Sequence, residues 1–542
     1  MRFVCYDFAN CSRLLYLPSQ TQMREMDYSF TEGTICAPAT VPGTGAVSII
    51  RISGDRALEI AEKVIRVSGA PFSETPGYRM RYGMVIDDGG QVLDTVVAGV
   101  FRAPHSYTGE DSVEISCHAS RFIVESILQM LVRAGARVAG PGEFTRRAFM
   151  NGKMDLAQAE AVADVIASSS AAAHRVAMNQ LRGGFSDELK DLRAQLLKMT
   201  SLLELELDFS EEDVEFASRD GLSALVRETL SHIRRLTSSF SRGNAIRNGV
   251  PTAIVGATNT GKSTLLNALL GEERAIVSDI AGTTRDTVEE TLDIGGVLFR
   301  FIDTAGIRET DETVERIGIE RTFRKLGEAA VVLGMTDVSR GEDAVLADAE
   351  FIAGKLDRAK GQRLVLLLNK CDCCGVEGEC DSGEASEGVK DGGKCSENKN
   401  KCFDNKNVII RNKLVSLLEN KGIKSKVISI SARTGSGLEK LKETLEEIGR
   451  ELTGDTDETL VTNARHYEAL ANAGTALERV LSGLGGGCGA DGGPSGTVQA
   501  TLPPDLIAQD LREALYHLGT IVGEITTDEV LGSIFSQFCI GK

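Results

Sequence analysis

Apolar positions change their spacing three times along this chain, and each change marks a passage from one architecture to another. Between Thr34 and about residue 150, Ala46-Val-Ser-Ile-Ile-Arg-Ile52 is a short apolar run that predicts a buried strand. Val92–Phe101 and Ser112–Cys117 predict further strands, while Arg56–Val67 and Glu125–Val132 carry helical spacing. Strands and helices mixed over so short a stretch predict a compact α+β domain. From Leu156 the apolar residues recur at three and four. Helices are predicted over Leu156–Ser168, Ala171–Leu181, Ser186–Leu207 and Leu222–Phe240, which together read as a bundle.

At Val250 the period switches again. Thr252–Val255 is an apolar strand, a glycine loop follows, and Ser263–Leu270 reads as a helix. Strands at Thr291–Ile294, Leu298–Asp303, Ala329–Gly334, Leu364–Leu368 and Lys426–Ile430 alternate with helices, the mark of a doubly wound parallel sheet. Helical spacing returns after Gly449, in Thr462–Leu481, Pro504–Val522 and Asp528–Phe535. The α/β unit is therefore inserted into the helical domain. The expected organisation is an extension over 1–27, an α+β domain over 28–150 and a helical domain over 151–246. The α/β domain follows over 247–453, and the second part of the helical domain over 454–542. Cys371–Asn407 and Gly483–Gly496 are polar or small-residue stretches without period and read as loop insertions.

Composition narrows the function classes. The chain has 542 residues, enough for about three or four domains. No run approaches the roughly 18 apolar residues of a membrane-spanning helix, so no membrane partner is expected. Sixty basic against 78 acidic residues leave a net charge of −18, the wrong sign for binding nucleic acid through bulk phosphate neutralisation. An RNA partner must be held by a local patch or presented by another protein. Tryptophan is absent and aromatic residues make up 5%, which argues against a broad base-stacking platform. The 12 cysteines form no even framework, and six of them crowd into 371–402, so a reducing, cytoplasmic setting is expected. An organellar address is the alternative, should residues 1–27 be a targeting segment rather than an extension upstream of Met26. The crowded cysteines show no pair of Cys-x-x-Cys units, so a polar insertion is preferred to a zinc site.

The chemistry is concentrated after the first α/β strand. Gly256-Ala-Thr-Asn-Thr-Gly-Lys-Ser263 leaves a strand and opens a helix, so its backbone N–H groups can close on phosphate oxygens. Lys262 offers a cation to the β/γ-phosphates and Ser263 a hydroxyl to Mg²⁺. Asp303-Thr-Ala-Gly306 ends another strand, placing an acid near Mg²⁺ and a glycine N–H near the γ-phosphate. Asn369-Lys-Cys-Asp372 ends a third, where the carboxylate of Asp372 matches the paired N–H donors of guanine and is left unpaired by adenine. Ser431-Ala-Arg433 follows the last strand, within reach of the guanine oxygen. The GTP site so outlined comprises Asn259, Thr260, Gly261, Lys262, Ser263 and Thr264; Asp303, Thr304, Ala305 and Gly306; Asn369, Lys370 and Asp372; and Ser431, Ala432 and Arg433. Gly282-Thr-Thr-Arg-Asp286 lies where a switch loop brings Thr284 to Mg²⁺. Ile307 stands where Ras-like proteins carry the water-orienting glutamine, so the acids of Glu309–Glu315 are the natural replacement.

Taken with several further stretches, these motifs closely resemble the MnmE (TrmE) family of tRNA modification GTPases. The resemblance runs from about Thr34 to Lys542, with the two insertions at 371–407 and 483–496 outside it. It rests on Ile50-Arg-Ile-Ser-Gly54, Ser106-Tyr-Thr-Gly-Glu-Asp111, Pro141-Gly-Glu-Phe-Thr-Arg-Arg-Ala-Phe149 and Asn151-Gly-Lys-Met-Asp-Leu156. It also rests on Asp279-Ile-Ala-Gly-Thr-Thr-Arg-Asp286, Asp303-Thr-Ala-Gly-Ile-Arg-Glu309 and the final Cys539-Ile-Gly-Lys542. It implies a homodimer joined through N-terminal folate-binding domains, and a Ras-like P-loop GTPase domain inserted into an all-helical domain. It also implies a heterotetramer with an FAD-dependent MnmG-type partner. Together they would place an aminomethyl or carboxymethylaminomethyl group on C5 of the wobble uridine of certain tRNAs, the carbon coming from a 5-formyl- or 5,10-methylene-tetrahydrofolate.

By motif position, Asn259, Ser278, Ile280 and Thr283 would hold K⁺, and Ser263 and Thr284 would hold Mg²⁺. The nucleotide-binding switch would comprise Ser278, Asp279, Ile280, Ala281, Gly282, Thr283 and Thr284. Glu315 matches the acid that orients the attacking water, Cys539 the cysteine required for modification, and Arg51, Glu114, Lys153 and Lys542 the folate-contacting positions. Taken alone, Lys153 reads as a solvated charge, Arg51 as a strand-edge ion-pair partner, Glu315 as a helix-surface acid and Cys539 as a small buried residue. Cys117-His-Ala-Ser120 replaces the family's usual His-Gly-Gly, and Gly43-Thr-Gly45 a more basic loop; both bear on folate affinity rather than on fold. The alternative function is an RNA-binding regulatory or ribosome-assembly GTPase of the Era/EngA kind.

Overall fold

The computed structural model describes residues 33–87, 89–208, 219–271, 290–302, 326–327, 329–356, 361–372, 409–454, 459–484, 503–536 and 538–541. The chain divides into two compact units, one of residues 1–160 with 523–542, the other of residues 161–522.

The first unit is built on a seven-stranded sheet of order β3-β4-β5-β6-β2-β1-β7. Its strands are β1 (Ile35–Pro38), β2 (Val47–Ser53), β3 (Ile65–Val67), β4 (Arg79–Ile86), β5 (Val92–Phe101), β6 (Ser112–His118) and β7 (Arg137–Val138). All neighbours run antiparallel except β1 and β7. Alternation decides the faces. Ile50, Ile52, Val96, Ala98, Val113 and Ile115 are fully or almost fully buried in one core with the helices Ala57–Val64 and Arg121–Arg133. The opposite face leaves Met80, Tyr82, Met84 and Val97 exposed. The predicted helix Arg56–Val67 stops at Val64, and Ile65-Arg-Val67 becomes β3 instead. Its β-branched ends suit a strand, and Ile65 lies so close to Gly83 of β4 that a side chain there would clash.

A buried ion network ties the next elements together. Glu143, 3% exposed at the start of the helix Glu143–Met150, accepts from Arg137 at 2.5 and 2.7 Å, from Arg147 at 3.1 Å and from the Gly140 N–H at 2.9 Å. Arg147 continues to both oxygens of Glu110 (3.0 and 3.1 Å), and Glu110 accepts from Ser53 Oγ at 2.8 Å.

Expected as the end of the helical domain, residues 523–542 group with the first unit. Their helix Asp528–Phe535 lies against the 143–150 helix, so tightly that a side chain at Gly142 (φ 64°) would meet the Phe535 carbonyl at 2.7 Å. Ile540 then pairs with Pro141, and the Gly142 N–H donates to the Cys539 carbonyl at 3.4 Å.

The second unit joins a helical bundle to a six-stranded sheet. The bundle comprises Ala171–Leu181, Gly184–Asp208, Arg219–Asn248, Ala464–Gly483 and Pro504–Val522. The helix Leu156–Ala167 spans the boundary between the two units. The strands are β8 (Val250–Gly256), β9 (Glu290–Ile294), β10 (Val297–Ile302), β11 (Val331–Asp337), β12 (Arg363–Asn369) and β13 (Ser425–Ser429), in the order β13-β12-β11-β8-β10-β9. Only β9 runs antiparallel to its neighbour. Near-continuous apolar strands such as Leu364–Leu368, fully buried, are what a sheet covered on both faces demands. Among the described residues, no helix is long and apolar enough to cross a membrane.

Breaking a buried ion pair by removing one partner typically costs 3–5 kcal/mol. Glu143→Ala should therefore destabilise the protein by about 3 kcal/mol in denaturant unfolding; a loss below about 1 kcal/mol would show that the network carries no stability.

Candidate functional site

The sheet order places β8 between β10 and β11, so the chain leaves β8 to one side and later returns to the other. In such sheets ligands bind outside the carboxyl ends of the strands at this switch point. The loop following β8 is shaped for it. Asn259 has φ 61° and Gly261 φ 98°, and a side chain at Gly256 would run into the Met335 carbonyl. A left-handed, side-chain-poor loop of this kind leaves room for its backbone N–H groups to face an anion. Lys262 opens the helix Lys262–Gly271 and folds back to donate to the carbonyls of Gly256 (3.0 Å) and Ala257 (2.8 Å). Burial lowers its pKa, so its ammonium gains from an anion placed beside it. Thr260 is fully buried, whereas Thr264 is exposed on the helix.

Asn369, 2% exposed at the end of β12, joins two loops that the sequence keeps far apart. Its Nδ2 donates to the Thr260 carbonyl at 2.7 Å, and its Oδ1 accepts from the Ala432 N–H at 2.9 Å. One amide thus fixes the glycine loop after β8 against the loop after β13. Asp372 accepts from Ser431 Oγ at 2.7 Å, which orients its carboxylate, and the Thr434 N–H donates to the same hydroxyl at 3.3 Å. Lys370 sits at φ 65°, a strained conformation for a lysine, and pairs with Asp337 at 2.7 Å. Burial pushes the Asp337 carboxyl up, but the bonds from Lys370 and Ser339 outweigh it and hold the group below its usual range. Asp337 carries no motif signal; only its place at the end of β11 could have drawn attention to it. Arg433 is exposed at the rim.

Ser278, Asp279, Ile280, Ala281, Gly282, Thr283, Thr284, Asp303, Thr304, Ala305, Gly306, Glu315 and Lys542 lie outside the described residues.

The first unit holds a second cluster. Arg51 of β2 and Glu114 of β6 are register partners, and both Nε and Nη2 of the arginine donate to one oxygen of Glu114, at 2.9 and 2.8 Å. The ion-pair reading of Arg51 is therefore what its geometry shows. Its guanidinium also lies over the rings of Tyr107 (5.0 Å) and Phe144 (5.6 Å). Tyr107 donates or accepts a 2.8 Å bond with Thr145 Oγ1, and burial raises its pKa, keeping the phenol neutral. Neither ring was singled out from sequence, although both lie in the quoted stretches 106–111 and 141–149.

Lys153 reaches the same 104–110 loop by donating to the Pro104 carbonyl at 2.9 Å, and Asn151 donates to Thr108 O at 2.7 Å. The chain end approaches from the side of β1. A side chain at Gly541 (φ 101°) would fall on the Pro38 carbonyl, and Pro38 neighbours Ala37, the register partner of Arg51. Cys539, expected on its own residues to be buried, is exposed. Ala119 and Ser120 are not among the residues with positive φ, so the backbone there does not require the glycines usual in the family.

A family model described as the MnmE helical domain matches residues 156–539, and one described as the GTP-binding protein TrmE N-terminus matches residues 34–153. The tRNA modification GTPase MnmE of Parabacteroides distasonis is 46% identical over 512 residues, 94% of this chain and 100% of that protein. That of Bacteroides thetaiotaomicron is 47% identical over 514 residues, again 94% and 100%. That of Christiangramia forsetii is 46% identical over 516 residues, 94% and 99%. A chain from the crystal structure of an SsGBP–GDP complex aligns over 61% of this chain and 78% of its own length at 16% identity, with a TM-score of 0.25.

If Asn369 holds the two loops in register, Asn369→Ala should weaken guanine-nucleotide binding at least tenfold, about 1.4 kcal/mol. Titration calorimetry reads this directly; an unchanged affinity would deny Asn369 that role.

Proposed function

Because this chain belongs to the MnmE (TrmE) family of tRNA modification GTPases, we propose that it is a K⁺-stimulated GTP hydrolase acting in tRNA wobble-uridine modification. With an FAD-dependent MnmG-type partner, in a heterotetramer, it adds an aminomethyl or carboxymethylaminomethyl group to C5 of the uridine. A 5-formyl- or 5,10-methylene-tetrahydrofolate supplies the carbon. The observation that carries the nucleotide half is the joint seating of Asn369 and Asp372, one locking the two loops and the other oriented by Ser431.

Each residue then has a physical task. The carboxylate of Asp372 accepts the two N–H donors on one edge of guanine, and an adenine there offers it no matching pair. Lys262 trades its contacts with Gly256 and Ala257 for phosphate oxygens, and the backbone N–H groups of Asn259 to Ser263 hold the other phosphate oxygens. The donor set fits two cations: Ser263 with Thr284 would hold Mg²⁺, and Asn259 with Ser278, Ile280 and Thr283 would hold K⁺, all offering hard oxygens. Such cations offset charge developing between the β- and γ-phosphates, as an arginine finger does elsewhere. Glu315 orients the attacking water in place of the absent glutamine.

In the first unit, Glu114 suits the adjacent donors of a pterin, and Arg51 with Lys153 and Lys542 suits carboxylates. The fixed guanidinium of Arg51 between two rings, and the chain end seated beside β1, support a folate site that Cys539 can serve. The exposed apolar face of Met80, Tyr82, Met84 and Val97 supports the homodimer, since apolar sheet faces of this kind mark interfaces. A pure RNA-binding switch of the Era/EngA kind gives the seated tail no role.

Two measurements test this reading. Asp372→Asn replaces an acceptor pair by an amide that donates, so hydrolysis should shift from GTP to XTP by at least about a hundredfold in relative kcat/KM, about 2.7 kcal/mol. Retained GTP preference would place base recognition elsewhere. GTP turnover should also be several times faster in K⁺ than in Na⁺; equal rates would remove the potassium site assigned to Asn259.

A further inference from the structure

Both chain connections of the α/β region run over one stretch of one helix. The 219–248 helix passes through Gly249 directly into β8, whose far end is the phosphate-binding loop. That joint is tight, because a side chain at Gly249 (φ 85°) would press on Leu298 and Arg300 at 3.2 Å. On the way out, the helix Leu438–Thr453 ends at Gly454 (φ 63°), close to the guanidinium of Arg242 on the same long helix.

The chain then lies on that helix at Leu460–Thr462, all three residues buried. Ser239 Oγ accepts from the Val461 N–H at 3.0 Å. Gly243 faces the Val461 carbonyl so closely that no side chain fits between them. From the 171–181 helix, Gln180 Nε2 donates to Leu460 O at 3.1 Å and to Thr462 Oγ1 at 3.2 Å. Gln180 and Ser239 are each 6% exposed, so water cannot replace these bonds and their loss leaves polar groups stranded.

The next residues extend the linkage. Asn463 caps the helix Ala464–Gly483, and Arg465 donates to the carbonyls of Thr520 (2.7 Å) and Ile521 (3.2 Å), at the end of the 504–522 helix. Two residues later the chain enters the segment that carries Cys539.

We propose that residues 460–463 form a strap that carries the nucleotide state of the α/β region to the 504–522 helix. Gln180, Ser239 and Gly243 are its clamp and act as positioning residues for tRNA modification. With the entry joint at Gly249 and the exit segment at Leu460–Thr462 both fastened on this helix, a rotation of the α/β region bears on the strap. Packed elements answer such displacements by shifting between discrete arrangements rather than by stretching. This inference rests on the reading of the chain as a GTPase, and goes beyond it in naming where its signal passes.

Amide hydrogen exchange on the full-length protein tests it, with and without a non-hydrolysable GTP analogue. In the wild type the analogue should change exchange at 465–470 and 516–522 by about fivefold or more, the lower end of ordinary coupling between sites. Ser239→Ala and Gly243→Ala should bind the analogue with unchanged affinity and lose that response. Ser239→Thr, which keeps the hydroxyl, should retain it, an outcome that a merely stabilising contact does not predict. Persistence of the response in both alanine variants, or analogue binding without any response in the wild type, would overturn the strap. Failure of the wild type to bind any guanine nucleotide is a separate result, which ends the GTPase reading and leaves the strap no signal to carry.

Discussion

The first unit is closed by a contact that only glycine permits. At Gly541 main chain meets main chain: φ is 101°, and any side chain would occupy the space of the Pro38 carbonyl. The same constraint is repeated at Gly142, where φ is 64° and a side chain would meet Phe535. Between these two close approaches, Ile540 pairs with Pro141 and Cys539 is left exposed. Residues far apart in the chain, such as Pro141 and Ile540 or Pro38 and Gly541, therefore share one neighbourhood, which also contains the 143–150 helix and, through Phe144, the guanidinium of Arg51. A thiol at the chain end and a fixed cation on a sheet become parts of one place because two residues lack a Cβ.

The proposed nucleotide site solves a related problem by different means. Its loops come from the ends of β8, β12 and β13, and the amide of Asn369 spans two of them while buried. Preorganisation of this kind raises selectivity, since a base that fails to match Asp372 gains nothing from the loops being in register. Lys262 is the complementary case: it is held on backbone carbonyls and partly desolvated, so an anion placed beside it would stabilise its charge.

Much of this was legible in residue order. The α/β strands announce themselves as apolar runs because both faces of that sheet are covered, and the bundle helices because their apolar stripe is regular. The glycine loop after β8 stands out in the sequence because loops that bind phosphate need glycine, lysine and a hydroxyl at fixed spacing. What stayed hidden has physical causes. Strand β4 was missed because its open face is itself apolar, so Met80, Tyr82 and Met84 erase the alternation that marks a half-buried strand. Strand β3 was hidden inside a helical pattern because pairing with β4 across Gly83 outweighs local propensity. The partners of Arg51 and Lys370 could not be read because Tyr107, Phe144 and Asp337 reach them through the fold rather than through spacing. The grouping of residues 523–542 with the first unit depends on contacts that no periodicity encodes.

The central claim is that GTP turnover in the second unit serves chemistry that needs the chain end seated against β1. Mass spectrometry of wobble uridines, in cells whose only copy of this protein carries Gly541→Ala, tests it most directly. The modification should be lost while GTP hydrolysis by the purified variant is preserved. Uridines modified at the wild-type level in those cells would contradict it.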